Sequence, residues 1–396
     1  MRNGWIETTL GQVADVIDPH PSHRAPIVDE LGIPFIGIGD LRNTGDVDFS
    51  KARKVSREIL SEHKLRYSRS DYLIGLGRVA SIGMVVKLPD DSIDYVVSPT
   101  LAVIKAKKIL PQFLYISLQG NHLQEQFQKY KKGSTRESVG MQVLRKLSIQ
   151  VPPLAEQKRI VDLISSVDSC IDALEKQAES ARKSRGAVLH EMLSARRDDW
   201  IETTLGEVAV FSSARVLPEE LRPDSKYVGL EHLQPYNLNI TDAGLCSEVK
   251  SSVTPFNISD VLFGRLRPYL HKVAFADFAG YCSPEILVLT ARENCQSKYL
   301  AYVCDLESTI KFCVDRSAGT KMPRTSQGDL SALKLLLPPI SEQKRIIELI
   351  SSMDDGITAA EKLISITKQM RSGLLSDLLS GNHGIPDSYD KVVGAA

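Results

Sequence analysis

The chain has 396 residues, 42% hydrophobic and 25% charged, with 49 basic and 49 acidic side chains, the balance of an ordinary soluble globular chain with room for two or three domains. No apolar run is long enough to cross a bilayer and Met1-Arg2-Asn3-Gly4-Trp5 lacks a signal peptide's apolar core, so a cytoplasmic location with no membrane partner is expected. Zero net charge excludes a uniformly basic nucleic-acid binder; the basic excess sits in residues 1–150, with 21 Lys and Arg against 16 Asp and Glu, so any DNA contact must come from local clusters.

In chain order, the first marked segment is Trp5-Ile6-Glu7-Thr8-Thr9-Leu10-Gly11. A basic stretch follows, with Lys51, Arg53, Lys54, Arg57, Lys64, Arg66 and Arg69 around Tyr67. It reads as a DNA-facing patch or as a solvated helical face. Gly75-Leu76-Gly77 with Gly83 lacks the spacing and the opening helix of a dinucleotide loop, and reads as a tight strand-end turn. Runs 94–97 and 101–104 have strand character, and 112–128 has helical periodicity. Lys131-Lys132-Gly133-Ser134-Thr135-Arg136 is a polar basic loop whose glycine permits close backbone approach.

Pro152-Pro153 then opens a long helix, with Glu156 placed to favour the N-terminal dipole. Its apolar positions step by four and three through Ile160, Ile164, Val167, Ile171 and Leu174. Such a 3.5-residue period belongs to a left-handed coiled coil. After that helix Trp200-Ile201-Glu202-Thr203-Thr204-Leu205-Gly206 repeats the first motif at an offset of 195. Phe263-Gly264-Arg265-Leu266-Arg267-Pro268-Tyr269 is a further candidate for DNA contact through Arg265, Arg267 and Tyr269, with a structural turn as the alternative. Run 286–289 has strand character and 298–314 helical character. The loop Gly319-Thr320-Lys321-Met322-Pro323-Arg324-Thr325-Ser326-Gln327 is the counterpart of 131–136. A second Pro-Pro helix begins at 338, repeating 152–160 at an offset of 186, with its seam at Ile346, Ile350, Met353, Ile357 and Ile364.

One unit is therefore written twice. Between the anchors only echoes remain: Asp71–Gly75 beside Asp260–Gly264, Ser98-Pro99 beside Ser283-Pro284, and 113–115 beside 299–301. A kept framework with a changed interior suits a module that reads two different targets. Each long helix is expected to pair with the other, antiparallel about a local twofold axis. Forty residues span roughly 60 Å at 1.5 Å per residue, the scale of one to two turns of DNA of about 34 Å each. Arg185 and Arg371 interrupt the seams 186 residues apart, and a centred pair puts them against Glu348 and Asp162. The end of the second helix leads towards Trp5 as the first leads to Trp200, which places the start of the chain near the 380–396 tail.

Catalytic signatures are missing. There is no phosphate loop and no Asn-Pro-Pro-Tyr type methylation motif; the eight histidines include no H-x-x-x-H pair, and the acids form no nuclease grouping. The six cysteines contain no C-x-x-C pair and read as free thiols rather than a zinc site or a disulfide framework. The catalytic and metal sites are expected to be empty of candidates.

The doubled Trp-led starts, the Leu-Gly-x-Val-Ala pieces, the two Pro-Pro-Leu/Ile-x-Glu-Gln-Lys-Arg-Ile openings and Leu262–Tyr269 resemble the specificity (S) subunits of type I restriction-modification systems over essentially the whole chain. The resemblance implies a mixed α/β fold: recognition domains at 1–150 and 198–337, conserved helical regions at 151–197 and 338–381 forming an antiparallel coiled coil, and a tail at 382–396. It implies a non-catalytic subunit in which each domain reads one half of a bipartite double-stranded DNA site. The helices space the halves and dock the methyltransferase (M) subunits, which recruit the endonuclease/translocase (R) subunit. S-adenosylmethionine, ATP and Mg2+ are expected on those partners and none on this chain. Candidate DNA contacts are Lys51, Arg53, Lys54, Arg66, Lys132, Ser134, Thr135, Arg136, Arg265, Arg267, Tyr269, Lys321, Arg324, Thr325 and Gln327. A coiled-coil scaffold that binds no DNA, and a stand-alone methyltransferase or nuclease, are the competing readings.

Overall fold

The computed structural model describes residues 4–20, 26–41, 47–68, 72–90, 92–131, 138–195, 198–319, 321–386 and 388–390. The chain forms two compact units, one of residues 1–174 with 363–396 and one of residues 175–362. Each unit holds one mixed α/β domain and a stretch of both long helices.

In the first unit the Trp-led motif forms strand Ile6–Thr9, which pairs antiparallel with Ser148–Val151, the strand just ahead of Pro152-Pro153. In the second, Ile201–Thr204 pairs with Lys334–Leu337 in the same way. The two sequence anchors of each repeat therefore touch, closing the domain where its helix begins. Their shared sequence follows from that shared joint.

Beyond the joint, the first domain has an antiparallel sheet ordered 14–17, 101–106, 73–77, 85–87. A second sheet, ordered 53–55, 28–36, 96–97, contains a parallel pair. The second domain repeats this with 209–211, 286–291, 261–264, 273–275 and with 244–245, 226–228, 280–282, 254–256. The expected strands near 94–97, 101–104 and 286–289 are present. The expected single helices are each broken in two, into Pro111–Gln119 and Asn121–Lys131, and into Ser297–Cys304 and Glu307–Arg316. At the first break a Cβ on Gly120 would meet Leu379 at 2.5 Å, so the chain turns where the long helix presses on it.

The sheet register corrects one expected echo. Gly77, not Gly75, stands where Gly264 does: Gly77 pairs with Leu101 and bonds Met84, while Gly264 pairs with Ile286 and bonds Lys272. A slip of two residues keeps every side chain on its face, so hydrophobic alternation alone could not reveal it.

The long helices are Leu154–Ser194 and Ile340–Leu379. Glu156 and Glu342 fall in their first turns. In the first unit Ile160 and Ile164 share a core with Leu375, Leu378, Leu379, Trp5 and Phe113. In the second, Ile346 and Ile350 share a core with Leu189, Leu193, Trp200 and Tyr299. Within each unit the start of one long helix packs with the end of the other, so the pair is antiparallel. Ile160, Ile164, Ile171, Ile346 and Ile350 are buried, and Val167, Leu174, Met353, Ile357 and Ile364 are half-buried. The seam is thus densest where a recognition domain also covers it.

The seam arginines pair differently from expectation. Arg185 bonds Asp354 (Nε–Oδ1 2.8 Å) and Asp305 (Nη1–Oδ2 2.6 Å), and Arg371 bonds Asp168 (Nη2–Oδ2 3.0 Å) and Gln119 (3.0 Å). Glu348 and Asp162, the expected partners, are exposed. The true partners lie six residues further along each helix, a register set by how the domains seat on the helices. Burial alone would lower the Arg185 pKa; the two carboxylates outweigh it and raise it. Trp5 lies against Gly381, where an added Cβ would come within 3.7 Å of the ring, in accord with the expected closeness of the chain start and tail.

Candidate nucleic-acid interface

Two candidate segments of the second domain, far apart in sequence, meet in the structure. Leu266 bridges Arg324, Thr325 N donates to Arg265 O (3.0 Å), and Arg267 N donates to Pro323 O (2.7 Å). Segments 265–271 and 321–327 thus form one surface. Pro268–Leu270 is a single 3-10 turn flanked by Arg267 (φ 52°) and His271 (φ 52°), both left-handed. Non-glycine residues pay about 1 kcal/mol or more each for that conformation. The turn lifts Tyr269 and Leu270 into solvent, and Lys321, Met322 and Gln327 are exposed on the segment that joins Arg265–Arg267.

The arginines of this surface are not equivalent. Arg324 is held by Glu285 through three nitrogen-to-oxygen contacts of 2.9–3.1 Å. The hydrogen bonds Arg324 donates to that carboxylate, and its negative charge, raise the Arg324 pKa. Among the described residues, the buried Nε of Arg265 and of Arg267 has no hydrogen-bond partner, while both residues remain half-buried. Those enclosed Nε atoms cannot meet a ligand as the chain stands; contact with a carbonyl or phosphate oxygen falls to the accessible part of each side chain. Thr325 has no exposed surface, its hydroxyl lying against Ser317 and the Cys313 carbonyl. It anchors the loop, and leaves contact to its neighbours. Ser326 caps the short helix Gln327–Ser331 by accepting from Asp329 N.

The same corner exists in the first unit. Val79 bridges Ser138, and Val139 N donates to Arg78 O, as Thr325 does to Arg265. Arg78 N bonds Thr100 O just as Arg265 N bonds Glu285 O. Arg78 is therefore the counterpart of Arg265, a residue the linear motif did not reveal because no second arginine follows it. Its side chain holds the Pro99 carbonyl (2.6 Å) and Asp18 (3.5 Å). Ala80 (φ 59°) repeats the left-handed position of Arg267. Lys132, Ser134, Thr135 and Arg136 lie outside the described residues.

The other basic candidates lie apart from that corner in sequence. Arg53 and Lys54 are exposed on the edge strand Arg53–Val55, and Lys51 is exposed beside Asp48. Arg66 follows helix Glu58–Lys64 and lines an open cavity of about 410 Å³ with Asp15, Lys64, Tyr67 and Lys105. Beneath it His63 is buried between His20 (3.3 Å) and Tyr67 (3.2 Å). Burial, then His20 and Arg66, lower the His63 pKa to about 4.

Two further residues escaped the sequence reading. Gln157 and Gln343, inside the repeated helix openings, are buried and bind the domain back to the helix. Gln157 accepts from Leu110 N (2.9 Å) and donates to Pro152 O; Gln343 accepts from Gln296 N (2.7 Å) and donates to Asn294 and Pro338. Leu110 and Gln296 are the N-caps of the helices at 111 and 297. The doubled Gln-Lys-Arg was the signal, and its first residue is the structural one. All six cysteines are free, five of them buried. Burial pushes the Cys282 and Cys295 thiols up to about 12. Among the described residues no three His, Cys, Asp or Glu side chains are grouped to hold a metal, and no helix is long and apolar enough to cross a membrane.

Comparison with known proteins gives a consistent picture. The family model for the type I restriction modification DNA specificity domain matches residues 2–181 and again 197–368. The putative type I restriction enzyme MjaX specificity subunit of Methanocaldococcus jannaschii is 21% identical over 405 aligned positions, spanning 96% of this chain and 90% of that protein. The type I restriction enzyme EcoBI specificity subunit of Escherichia coli is 27% identical over 183 positions, 45% of this chain and 38% of that protein. Among solved structures, one from work on assembly and conformational transition of the type I R-M system superposes with a TM-score of 0.56 at 17% identity, covering 95% of this chain and 98% of that one. The S subunit from M. genitalium gives 0.51 at 16% identity, covering 95% and 96%. These likenesses share the fold: two mixed α/β recognition domains with long paired helices. With both repeats matched, the chain belongs to the family of type I restriction-modification DNA specificity subunits.

Proposed function

We propose that this chain is the DNA-reading subunit of a type I restriction-modification complex, with each recognition domain taking one half of a bipartite duplex site. The observation that carries this reading is the doubled corner. In both units a strand-end turn with a left-handed residue lies beside the loop that precedes the long helix, on a common framework but with different side chains. A framework repeated with altered surface chemistry supports reading two unlike half-sites. In the second unit the reading groups are Arg265, Arg267, Tyr269, Lys321, Arg324 and Gln327. In the first they are Lys132, Ser134, Thr135 and Arg136, with Lys51, Arg53, Lys54 and Arg66 as further phosphate contacts.

The paired helices act as spacer and as the dock for methyltransferase subunits, which in turn carry the endonuclease/translocase subunit. The chain itself is non-catalytic in this reading and works in the cytoplasm. S-adenosylmethionine, ATP and Mg2+ belong to the partners. Mapping methylated adenines across the genome with and without this chain tests the assignment. The expected result is one bipartite motif that loses methylation when the chain is removed. Methyl transfer by the purified chain alone, or no motif that depends on it, overturns the reading.

A further inference from the structure

We propose that Arg185 and Arg371 are positioning residues for target recognition. Each fixes the angle at which its own recognition domain stands on the helix pair, and Asp305 extends the Arg185 clamp into the reading segment 265–271.

The geometry is the same in both units. One arginine in the seam bonds a carboxylate on the facing long helix and, with the same guanidinium, a side chain near the C-terminal end of a domain helix. Arg185 joins Asp354 of the facing helix to Asp305, just after Ser297–Cys304. Arg371 joins Asp168 of the facing helix to Gln119, the last residue of Pro111–Gln119. All three members of each clamp are 186 residues from their counterparts. Both bonds are met together only when helix register and domain angle are both correct.

Stability alone does not account for this choice. Burying a charge in an otherwise apolar seam costs desolvation, and well-packed apolar residues in place of a buried ion pair are often neutral or stabilising. A polar residue in a helix seam is instead a device for fixing register.

The Arg185 clamp reaches further. Asp305 is 3% exposed; its Oδ2 takes Arg185 and its Oδ1 lies 3.0 Å from His271 Nε2. The same Nε2 is 2.8 Å from the Asp305 carbonyl. Both partners of that nitrogen are acceptors, so Nε2 carries the proton. His271 is the left-handed residue that ends the exposed turn at Tyr269, and Tyr236 stacks on its ring at 4.1 Å. Tyr302 completes the set, donating to Asp354 (3.0 Å) with the Arg185 guanidinium over its ring. The seam, the domain helix and the reading turn are thus joined through one carboxylate.

This inference rests on the bipartite reading above, and the test separates the two. Complexes assembled with Arg185→Met, Arg371→Met or wild-type chain are compared on duplexes whose gap is the native length or one base pair shorter or longer. Methionine keeps the side-chain stem and apolar bulk. We expect the preference for the native gap to fall by about tenfold in both variants. Arg185→Met should also lower the melting temperature, because it leaves the enclosed Asp305 carboxylate short of a partner, whereas Arg371→Met, which frees only a part-exposed carboxylate and an amide, should melt close to wild type. Arg185→Lys, which cannot bridge two carboxylates with one planar group, should fall between. Rates that drop equally at every gap, or a gap preference unchanged in both methionine variants, overturn the proposal. If a methionine variant does not assemble, Asp305→Asn decides: it should loosen the gap preference and also the base preference of the second half-site alone, and unchanged preferences overturn the proposal. Loss of any chain-dependent motif in the wild-type complex would instead remove the reading on which it stands.

Discussion

At the scale of single residues, burial decides what each group can do. His63 is 2% exposed and its pKa is lowered to about 4 from 6.5. Above pH 6.5 neither state is charged and no penalty applies. As pH falls from 6.5 towards 4, the unfolded chain takes a proton that the folded chain refuses, so stability declines by up to about 3 kcal/mol. Urea unfolding at pH 7 and pH 5 should show this loss, and His63→Gln should flatten it; an equal slope in both proteins would dismiss His63 as its source. On the reading surface, Arg324→Ala should reduce methylation of the bipartite site by about tenfold to a hundredfold, the worth of one bidentate contact. Unchanged methylation would take Arg324 out of the interface and leave it as a partner of Glu285. Segments 263–269 and 319–327 stood out in sequence by residue type, the second also by its place ahead of a long helix, but that they touch was not legible. Nor was the candidate site legible where depth decides. Thr325 and Arg324 are adjacent polar residues in one loop, yet one is enclosed and the other half-buried, and nothing linear distinguishes them. Arg78 was hidden because its equivalence to Arg265 is a matter of hydrogen bonding, not of motif.

At the scale of elements, the paired helices have positions of opposite sensitivity. Ile164 and Ile350 are 0% exposed in their seams. Replacing either by alanine should cost about 2–5 kcal/mol, as for other buried aliphatic truncations. Gly186 is different: it lies inside the first long helix and an added Cβ would meet nothing within 4 Å. Gly186→Ala should raise stability by about 0.5–1 kcal/mol through the lower entropy of the unfolded chain. Thermal or urea unfolding of the three variants checks both signs, and a destabilised Gly186→Ala would mean that this face is covered by something. The helices, their Pro-Pro starts and their 3.5-residue seam were legible because a long periodic pattern averages out local ambiguity. The partners of Arg185 and Arg371 were not. Sequence fixes which face a residue occupies, but the axial register of two helices is set by what packs on them, here Gln119 and Asp305 from the domains. The breaks at Gly120 and Asp305 were equally invisible, since each answers to a long-helix contact distant in sequence.

At the scale of the whole molecule, the repeat closes on itself through equivalent joints. Trp200 shares a core with Leu189 and Leu193 at the end of the first long helix. Trp5 shares a core with Leu375 and Leu379, each 186 residues further on, at the end of the second. Tail residues strengthen the second joint: Arg159 bonds Asp390 (2.6 Å) and the Ile385 carbonyl, and Ile385 belongs to the same core as Trp5. The covalent link from helix end to tryptophan exists at one joint only, yet the packing is alike at both. The position of the break in the chain should therefore matter little to the fold. A circular permutant that begins at Asp198, ends at Ala195 and joins the tail to Gly4 by a short flexible linker tests this. It keeps both strand joints, Ile6–Thr9 with Ser148–Val151 and Ile201–Thr204 with Lys334–Leu337, and both seam clamps. We expect it to fold with cooperative unfolding and to direct methylation to the same motif at the same gap. A permutant that folds but shifts the gap would show that the link at 195–200 carries spacing information beyond packing. One that fails to fold would show that the two joints are not interchangeable, despite their matching leucines.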